Sequence, residues 1–169
     1  RRIIESPWYK RHWGDRYELE GDEHQKSNYE NTRMGRRTSV STGGTVIGKG
    51  ADIIIMDDPQ DPKGVRSDVD RQKTIEFFDN TLSTRLNDTV SGTFLLVQQR
   101  LHDQDLTGYL LKKDGEGEEK WQHICLPAEL SEDVKPARLA AYYVKGLMFP
   151  KRFHPIFIGE QMTRLGSAQ

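Results

Sequence analysis

The chain has 169 residues, of which 34% are hydrophobic and 30% are charged, and its net charge is −1. This length suffices for one domain with a buried core, and the composition excludes a disordered chain. The near-zero net charge excludes a uniformly basic surface, so nucleic acid would have to be contacted by local patches. A single cysteine excludes an internal disulfide. Because no apolar run reaches the roughly 18 residues of a membrane span, we expect a soluble protein with no membrane partner.

The first predicted element is a hairpin within residues 28–41 that turns at Met34 and Gly35. Three basic side chains near this turn are candidates for contact with DNA phosphates: Arg33, Arg36 and Arg37. Arginines in a turn are more often simply solvated, so a solvated turn is the favoured interpretation.

The segment from Gly43 to Lys49 nearly matches the phosphate-binding loop G-x-x-x-x-G-K-[ST]. However, the residue after Lys49 is Gly50, which has no hydroxyl to offer Mg²⁺. A phosphate loop also has to enter a helix, whereas this segment runs into a predicted strand. We therefore expect a glycine-rich loop that lets the chain pass close to its neighbours.

Two short apolar runs with a helical segment between them predict a βαβ unit. Residues 51–57 and 92–99 are expected to be strands, the first of them buried on both faces of a parallel sheet. Residues 67–86 are expected to be the connecting helix, with Ser67 as its cap. Apolar residues recur in it at helical spacing: Ile75, Phe78, Leu82 and Leu86.

Two more elements are predicted downstream. Asp103 to Lys113 starts acidic and ends in two lysines, as the dipole of a helix favours. Residues 121–127 are expected to form a third strand. The chain starts at Arg1 without a methionine and stops without a charged or proline-rich tail, so we expect it to be a piece of a longer protein.

Polar side chains follow both predicted strands of the βαβ unit. Ligands of open α/β sheets bind beyond the carboxyl ends of the strands. There Asp57 can hold Mg²⁺, and Asp58 can position or activate water. Gln98, Gln99 and Arg100 end the second strand at the same edge, where a glutamine can sense a γ-phosphate. The acid pair alone, or the Gln98–Arg100 segment alone, is equally compatible with an ordinary solvated strand end. Because both occur on adjacent strands at the same edge, the sequence favours a site for a nucleotide phosphate and its metal ion.

The chain resembles the ATPase domain of the large terminase subunit of tailed bacteriophages and prophages. The resemblance lies in four blocks, RRIIESPWYKRHWGD, GKGADIIIMDDP, FFDNTLSTRLND and GTFLLVQQRLHDQDLTGYLL, and in their order and spacing. The block QQRLHDQDLTG is the most specific, since many ATPases share the acidic strand.

This resemblance implies a three-layer α/β fold of the P-loop NTPase (ASCE) type with a mainly parallel sheet. Residues 1–169 would be a partial motor domain, with the phosphate loop upstream and a nuclease domain downstream, and would be inactive alone. The full-length protein would use ATP and Mg²⁺ to drive double-stranded viral DNA into a procapsid. Its expected partners are DNA, the portal protein, the small terminase subunit and further copies in a ring, in the host cell cytoplasm.

The same resemblance implies roles for the residues at the sheet edge. Asp57 would correspond to the magnesium-binding acid, and Asp58 to the catalytic carboxylate, where many of these motors carry the longer glutamate. Gln98 and Gln99 fall in the coupling motif, with no choice possible between them, and Arg100 follows.

Two other functions remain open. A metal-dependent nuclease could use Asp57 and Asp58 together with Asp52 or Asp61, although the second strand supplies none of the carboxylates that such sites usually gather. A non-catalytic DNA-binding or scaffold module is also conceivable, but a net charge of −1 with one local basic cluster argues against it.

Overall fold

The computed structural model describes residues 2–20, 28–46 and 48–166, and the chain forms two compact units, Arg1–Tyr109 and Leu110–Gln169. In chain order the elements are α1 (Pro7–Trp13), β1 (Asn28–Glu30), β2 (Arg36–Thr38), β3 (Ile53–Asp57), α2 (Asp68–Phe77), β4 (Thr93–Val97), α3 (Leu106–Gly115) and α4 (Pro155–Gly166). Short 3₁₀ turns occupy Gly64–Arg66 and Ala137–Tyr142, and a π-helical turn occupies Phe78–Leu82. This mixture of helices and strands is compatible with the predicted α/β class.

β3 and β4 are parallel neighbours, as predicted, and α2 lies in the connection between them. Their register runs from Ile53 opposite Thr93 to Asp57 opposite Val97. α2 begins where predicted, because the Ser67 Oγ accepts a hydrogen bond at 3.3 Å from the backbone N–H three residues later. This cap satisfies one of the free donors in the first helical turn. The connection thus brings the carboxyl ends of both strands to the same sheet edge.

The connecting helix is shorter than the predicted range 67–86, because the π-helical turn follows α2 directly. Phe78 and Leu82 in this turn are buried, and the Phe78 ring meets Phe94 of β4 edge-on with 5.6 Å between the ring centroids. Leu86 forms a parallel bridge with the segment before β3, so the end of the predicted helix extends the sheet instead. Helical spacing identified Phe78 and Leu82, which are buried, but Ile75 and Leu86 are only half-buried, and the spacing did not show where the helix ends.

Phe78→Ala is expected to lower the free energy of unfolding by about 3–5 kcal/mol, because it leaves a cavity beneath β4. The wild-type side chain is only 2% exposed. Urea denaturation followed by circular dichroism measures the change. Val90→Ala, at a side chain that is 92% exposed, is the control; it should change stability by less than about 0.5 kcal/mol. Equal stability of the two variants would contradict the packing of the π-helical turn on the sheet.

One face of the β3–β4 sheet is uncovered, so the prediction of a strand buried on both faces is wrong. Successive strand residues point to opposite faces, and Met56 and Phe94 lie on the covered one. The other, here called the open face, carries side chains that are 48–63% exposed: Ile53, Ile55, Leu95 and Val97. No described residue supplies the third layer of the predicted three-layer arrangement. An apolar run identifies a strand, but burial of each face depends on other elements.

Residues 121–127 do not form the predicted third strand. They belong to the second unit, where Cys125 makes a single antiparallel bridge with Lys135. A strand needs a partner over several residues, and this segment pairs at one position only.

Among the described residues, no helix combines the length and the apolar character that crossing a membrane requires.

α3 begins three residues later than predicted, at Leu106 instead of Asp103, and ends at Gly115. The reason is the position of its cap, since the Asp105 Oδ1 accepts a hydrogen bond from the Gly108 N–H at 2.8 Å. Acidic residues before a helix predict that a helix starts nearby, but only the hydrogen bond shows which one caps it.

The hairpin turns at Met34 and Gly35, as predicted, and it is joined to α1. Met34 adopts a left-handed backbone with φ of 61°, which suits a tight antiparallel turn. Residues 18–20 pair with β1 and the residues after it. The Tyr9 hydroxyl of α1 lies 2.7 Å from the Tyr17 hydroxyl. Residues 17–20 therefore contact both α1 and the hairpin.

This contact has a measurable consequence. The hydrogen bond with Tyr9, assisted by burial, raises the pKa of Tyr17 to about 12. Tyr9→Phe is expected to return the Tyr17 pKa toward its ordinary value near 10. The folded protein binds the Tyr17 proton more tightly than the unfolded chain does. The contribution of this proton to the stability of the fold is therefore complete below pH about 10 and is lost as the pH rises through about 12.

An NMR titration of ¹³Cζ-labelled tyrosine measures the Tyr17 pKa in both proteins. Tyr17→Phe assigns the resonance, and Tyr142→Phe, at a side chain that is 70% exposed, is the control. An unchanged Tyr17 pKa in Tyr9→Phe would show that the two hydroxyls do not interact in solution.

Candidate functional site at the carboxyl edge of the parallel sheet

Asp57 and Asp58 lie at the carboxyl end of β3, on the edge predicted to carry a site. Asp57 is the last residue of the strand, is exposed, and continues the row of side chains on the open face. The Asp58 N–H donates to the Val97 carbonyl at 2.8 Å, which extends the ladder by one residue. Asp58 then adopts a left-handed backbone with φ of 44°. The two carboxylates are therefore adjacent in sequence but differently placed.

The polar residues after β4 reach the same edge. The Gln99 N–H donates to the Asp58 Oδ1 at 3.3 Å, so the two strand ends are directly joined. Gln98 is half-buried, and its Oε1 has no hydrogen-bond partner among the described residues. Arg100 turns toward the following loop, where its Nε donates to the Asp105 Oδ2 at 3.1 Å. The contact with the acid pair is made by the backbone N–H of Gln99 and involves neither glutamine side chain.

Two residues that sequence reasoning missed connect this edge with α3. Gln60 is 8% exposed, and its Oε1 accepts a hydrogen bond from the Leu106 N–H at 2.9 Å. Asp105 is 1% exposed and binds Arg100 as well as backbone groups. An acid before the apolar run of α3 does signal a helix cap, but its burial has no sequence signal. No local pattern marks Gln60.

The exposed Asp57 carboxylate fits Mg²⁺. This ion usually keeps several waters and takes one or two protein carboxylates together with substrate phosphates. Among the described residues, no three His, Cys, Asp or Glu side chains gather into a metal cage. The donor set at this edge therefore suits an ion whose coordination is completed by water and substrate oxygens.

The glycine-rich segment Gly43–Lys49 leads into β3 and not into a helix, as predicted; Ile47 within it lies outside the described residues. The segment starts close to the acid pair, since the Thr42 Oγ1 donates to the Pro59 carbonyl at 3.0 Å. An open cleft of about 390 Å³ lies there, lined by Thr42, Gly43, the residues that follow Asp58 and part of α2. The expected close approach is not found at Gly43 and Gly48, because a Cβ at either position would meet nothing within 4 Å; it is their left-handed backbone, with φ of 77° and 72°, that favours glycine.

The three candidate arginines of the hairpin do not share one face. Arg36 lies opposite Glu30, with 2.5 Å between its Nε and the Glu30 Oε1. Arg37 lies opposite Tyr29, with its guanidinium 5.8 Å from the ring centroid. Neighbouring strand residues point to opposite faces, and Arg33 is exposed in the turn. The basic patch is therefore smaller than the sequence spacing suggests.

The additional acids considered for a nuclease site, Asp52 and Asp61, both accept hydrogen bonds from neighbouring residues. Asp52 precedes β3 and Asp57 ends it, so about 16 Å separates them at roughly 3.3 Å per residue. The Asp52 Oδ1 also accepts a hydrogen bond from the Asn87 Nδ2 at 2.9 Å. Asp61 accepts hydrogen bonds from the N–H groups of Gly64 and Lys63, which hold the pKa of its carboxyl below the usual range. Both acids thus have structural contacts of their own.

No family model matches the chain, and the curated proteins and the solved structures give no match either. The assignment of a function therefore depends on the residues and the geometry of this sheet edge.

Proposed function

We propose that the chain is part of the motor ATPase of a large terminase subunit, which uses ATP hydrolysis to move double-stranded viral DNA into a procapsid. Residues 1–169 would be a partial domain of the P-loop NTPase (ASCE) type. The phosphate loop would lie upstream and a nuclease domain downstream. The sequence blocks that resemble this family and the geometry of the β3–β4 edge support the proposal.

The observation that carries the proposal is the junction of the two parallel strand ends. Asp57 closes the β3–β4 register, and the Asp58 Oδ1 accepts the Gln99 N–H at 3.3 Å. Ligands of open α/β sheets bind beyond this edge. An acid pair and a polar segment held there in contact are suited to a nucleotide phosphate and its metal ion.

Each residue has a role in this proposal. Asp57 would hold Mg²⁺, which supplies charge neutralisation at the phosphates when it is bound. Asp58 would orient the attacking water and accept its proton. Gln98 or Gln99 would report the state of the γ-phosphate to the loop after β4, with Arg100 beside them. The proposed partners are DNA, the portal protein, the small terminase subunit and further copies in a ring, in the host cell cytoplasm.

The experiment that tests the proposal is ATP hydrolysis by the full-length protein that contains residues 1–169. We expect hydrolysis that needs Mg²⁺ and is stimulated by linear duplex DNA. Lys49→Ala is the control, because Lys49 lies in the loop before β3 and should not affect the rate. Full-length protein without ATP hydrolysis would contradict the function, and loss of hydrolysis with Lys49→Ala would make Gly43–Lys49 a phosphate loop.

A further inference from the structure

A single buried carboxylate organises the loop between β4 and α3. The Asp105 Oδ2 accepts hydrogen bonds from the Arg100 Nε at 3.1 Å and from the backbone N–H groups of Leu101 and His102 at 3.2 and 3.5 Å. The Asp105 Oδ1 instead accepts the Gly108 N–H at 2.8 Å. One oxygen therefore closes the loop, and the other caps the helix. The three hydrogen bonds to Oδ2 are called the Asp105 clasp.

Helix capping alone does not explain why this acid is buried. Asp105 is 1% exposed, and burying a carboxylate is costly unless charge and hydrogen bonds compensate. The half-buried hydroxyl of Ser67 caps α2 without a charge. The Arg100 guanidinium supplies the compensating charge at Asp105, and its Nη2 also lies 3.4 Å from the His102 carbonyl. The ion pair between Arg100 and Asp105 therefore stabilises the loop.

The clasp is anchored to the elements around the acid pair. Gln60, two residues after Asp58, accepts the Leu106 N–H next to the clasp at 2.9 Å. The buried Arg71 of α2 donates to the Gln104 Oε1 of the loop at 3.2 Å. A Cβ at Gly108 would lie 1.9 Å from a backbone oxygen of the loop, so the loop packs closely on the first turn of α3. The clasp is thus fixed relative to β3 as well as to β4.

We propose that Asp105 is a positioning residue for the candidate site. It acts through the loop, by fixing the backbone that follows Gln99, whose N–H donates to the Asp58 carboxylate. When the clasp is lost, the contact between the Gln99 N–H and the Asp58 carboxylate loosens, and the Arg100 guanidinium is released from the loop. The effect on catalysis rests on the proposed ATPase function, whereas the order of the loop does not.

Asp105→Asn removes the charge of the side chain and one of its two acceptor oxygens. Whichever way the amide turns, its NH₂ group faces N–H donors, either the three of the clasp or that of Gly108, and the remaining oxygen is a weaker acceptor than a carboxylate oxygen. We expect the Leu101 and His102 amides to exchange with solvent about tenfold faster or more. In the full-length protein, kcat should fall about ten- to hundredfold because the site is misplaced, while KM stays unchanged. Ser67→Ala is the matched control, since it removes a helix cap without touching the loop.

The outcomes distinguish this inference from the proposed function. Unchanged exchange of the loop amides, or wild-type kcat in a protein that Asp57→Ala inactivates, would overturn the positioning role. An equal fall of kcat in Ser67→Ala would do the same, because the effect would then be general destabilisation. Full-length protein without ATP hydrolysis would refute the proposed function, while faster amide exchange in Asp105→Asn would still support the ordering of the loop.

A second variant covers the case in which Asp105→Asn fails to fold. Arg100→Lys keeps the positive charge but has no Nε–H to donate to the Asp105 Oδ2. We expect faster exchange at the Leu101 and His102 amides here too, with α3 intact by circular dichroism. Wild-type exchange rates in Arg100→Lys would overturn the contribution of the charge pair to the clasp.

Discussion

Asp57→Ala in the full-length protein is expected to reduce ATP hydrolysis about a thousandfold or more. The side chain is exposed at the end of β3, so its loss leaves no cavity in the core and the fold should persist. What disappears is the carboxylate that would hold Mg²⁺ next to the phosphates. Steady-state hydrolysis, measured beside thermal melts of the same preparations, separates loss of activity from loss of structure.

Asp52→Ala is the matched control for this substitution. It removes an acid from the opposite end of the same strand, where Asp52 accepts a hydrogen bond from Asn87. We expect this variant to retain most of the activity. Equal losses in both variants would indicate damage to β3 itself, and activity near wild type in Asp57→Ala would place the metal site elsewhere.

Asp58→Asn is expected to retain nucleotide and Mg²⁺ binding but to lose about 10²- to 10⁴-fold in turnover. The neutral amide has nearly the same shape as the carboxylate, and asparagine tolerates the left-handed backbone at φ of 44°. Its amide oxygen can still accept the Gln99 N–H, which lies 3.3 Å from the acid. Only the charge and the ability to accept a proton are removed.

Single-turnover kinetics and calorimetric titration with Mg·ATP measure the two expected effects separately. Asp61→Asn serves as the control, because it makes the same chemical change in an exposed acid that accepts backbone N–H groups after Pro59. Wild-type turnover in Asp58→Asn would show that another group activates the water. Weakened nucleotide binding with normal single-turnover rates would assign Asp58 to binding.

The features that the sequence predicted correctly have local causes. The parallel pairing of β3 and β4 follows from two apolar runs separated by a helical segment, and the start of α2 follows from the Ser67 hydroxyl. The hairpin turn at Met34 and Gly35 is likewise determined by neighbouring residues. The edge that brings Asp58 and Gln99 together is then a consequence of parallel pairing.

The features that could not be predicted depend on how separate segments pack or on how a loop folds. The open face of β3–β4 is exposed because no other described element covers it, which an apolar run cannot reveal. The segment around Cys125 lacks a partner over several residues, so its strand-like composition is not enough. The Asp105 clasp needs a guanidinium brought within reach by the loop, and the Gln60 contact joins residues 46 positions apart.

The left-handed backbone at Asp58 limits which side chains this position accepts. At φ of 44° glycine, asparagine and aspartate are accommodated readily, whereas other residues cost roughly 1 kcal/mol or more. A glutamate would reach one methylene further, but on a less favourable backbone and without the same hydrogen bond from the Gln99 N–H. The length of the side chain at position 58 thus depends on the backbone conformation of the turn after β3. Variation at this position should be confined to small residues unless the turn is rebuilt in the same step.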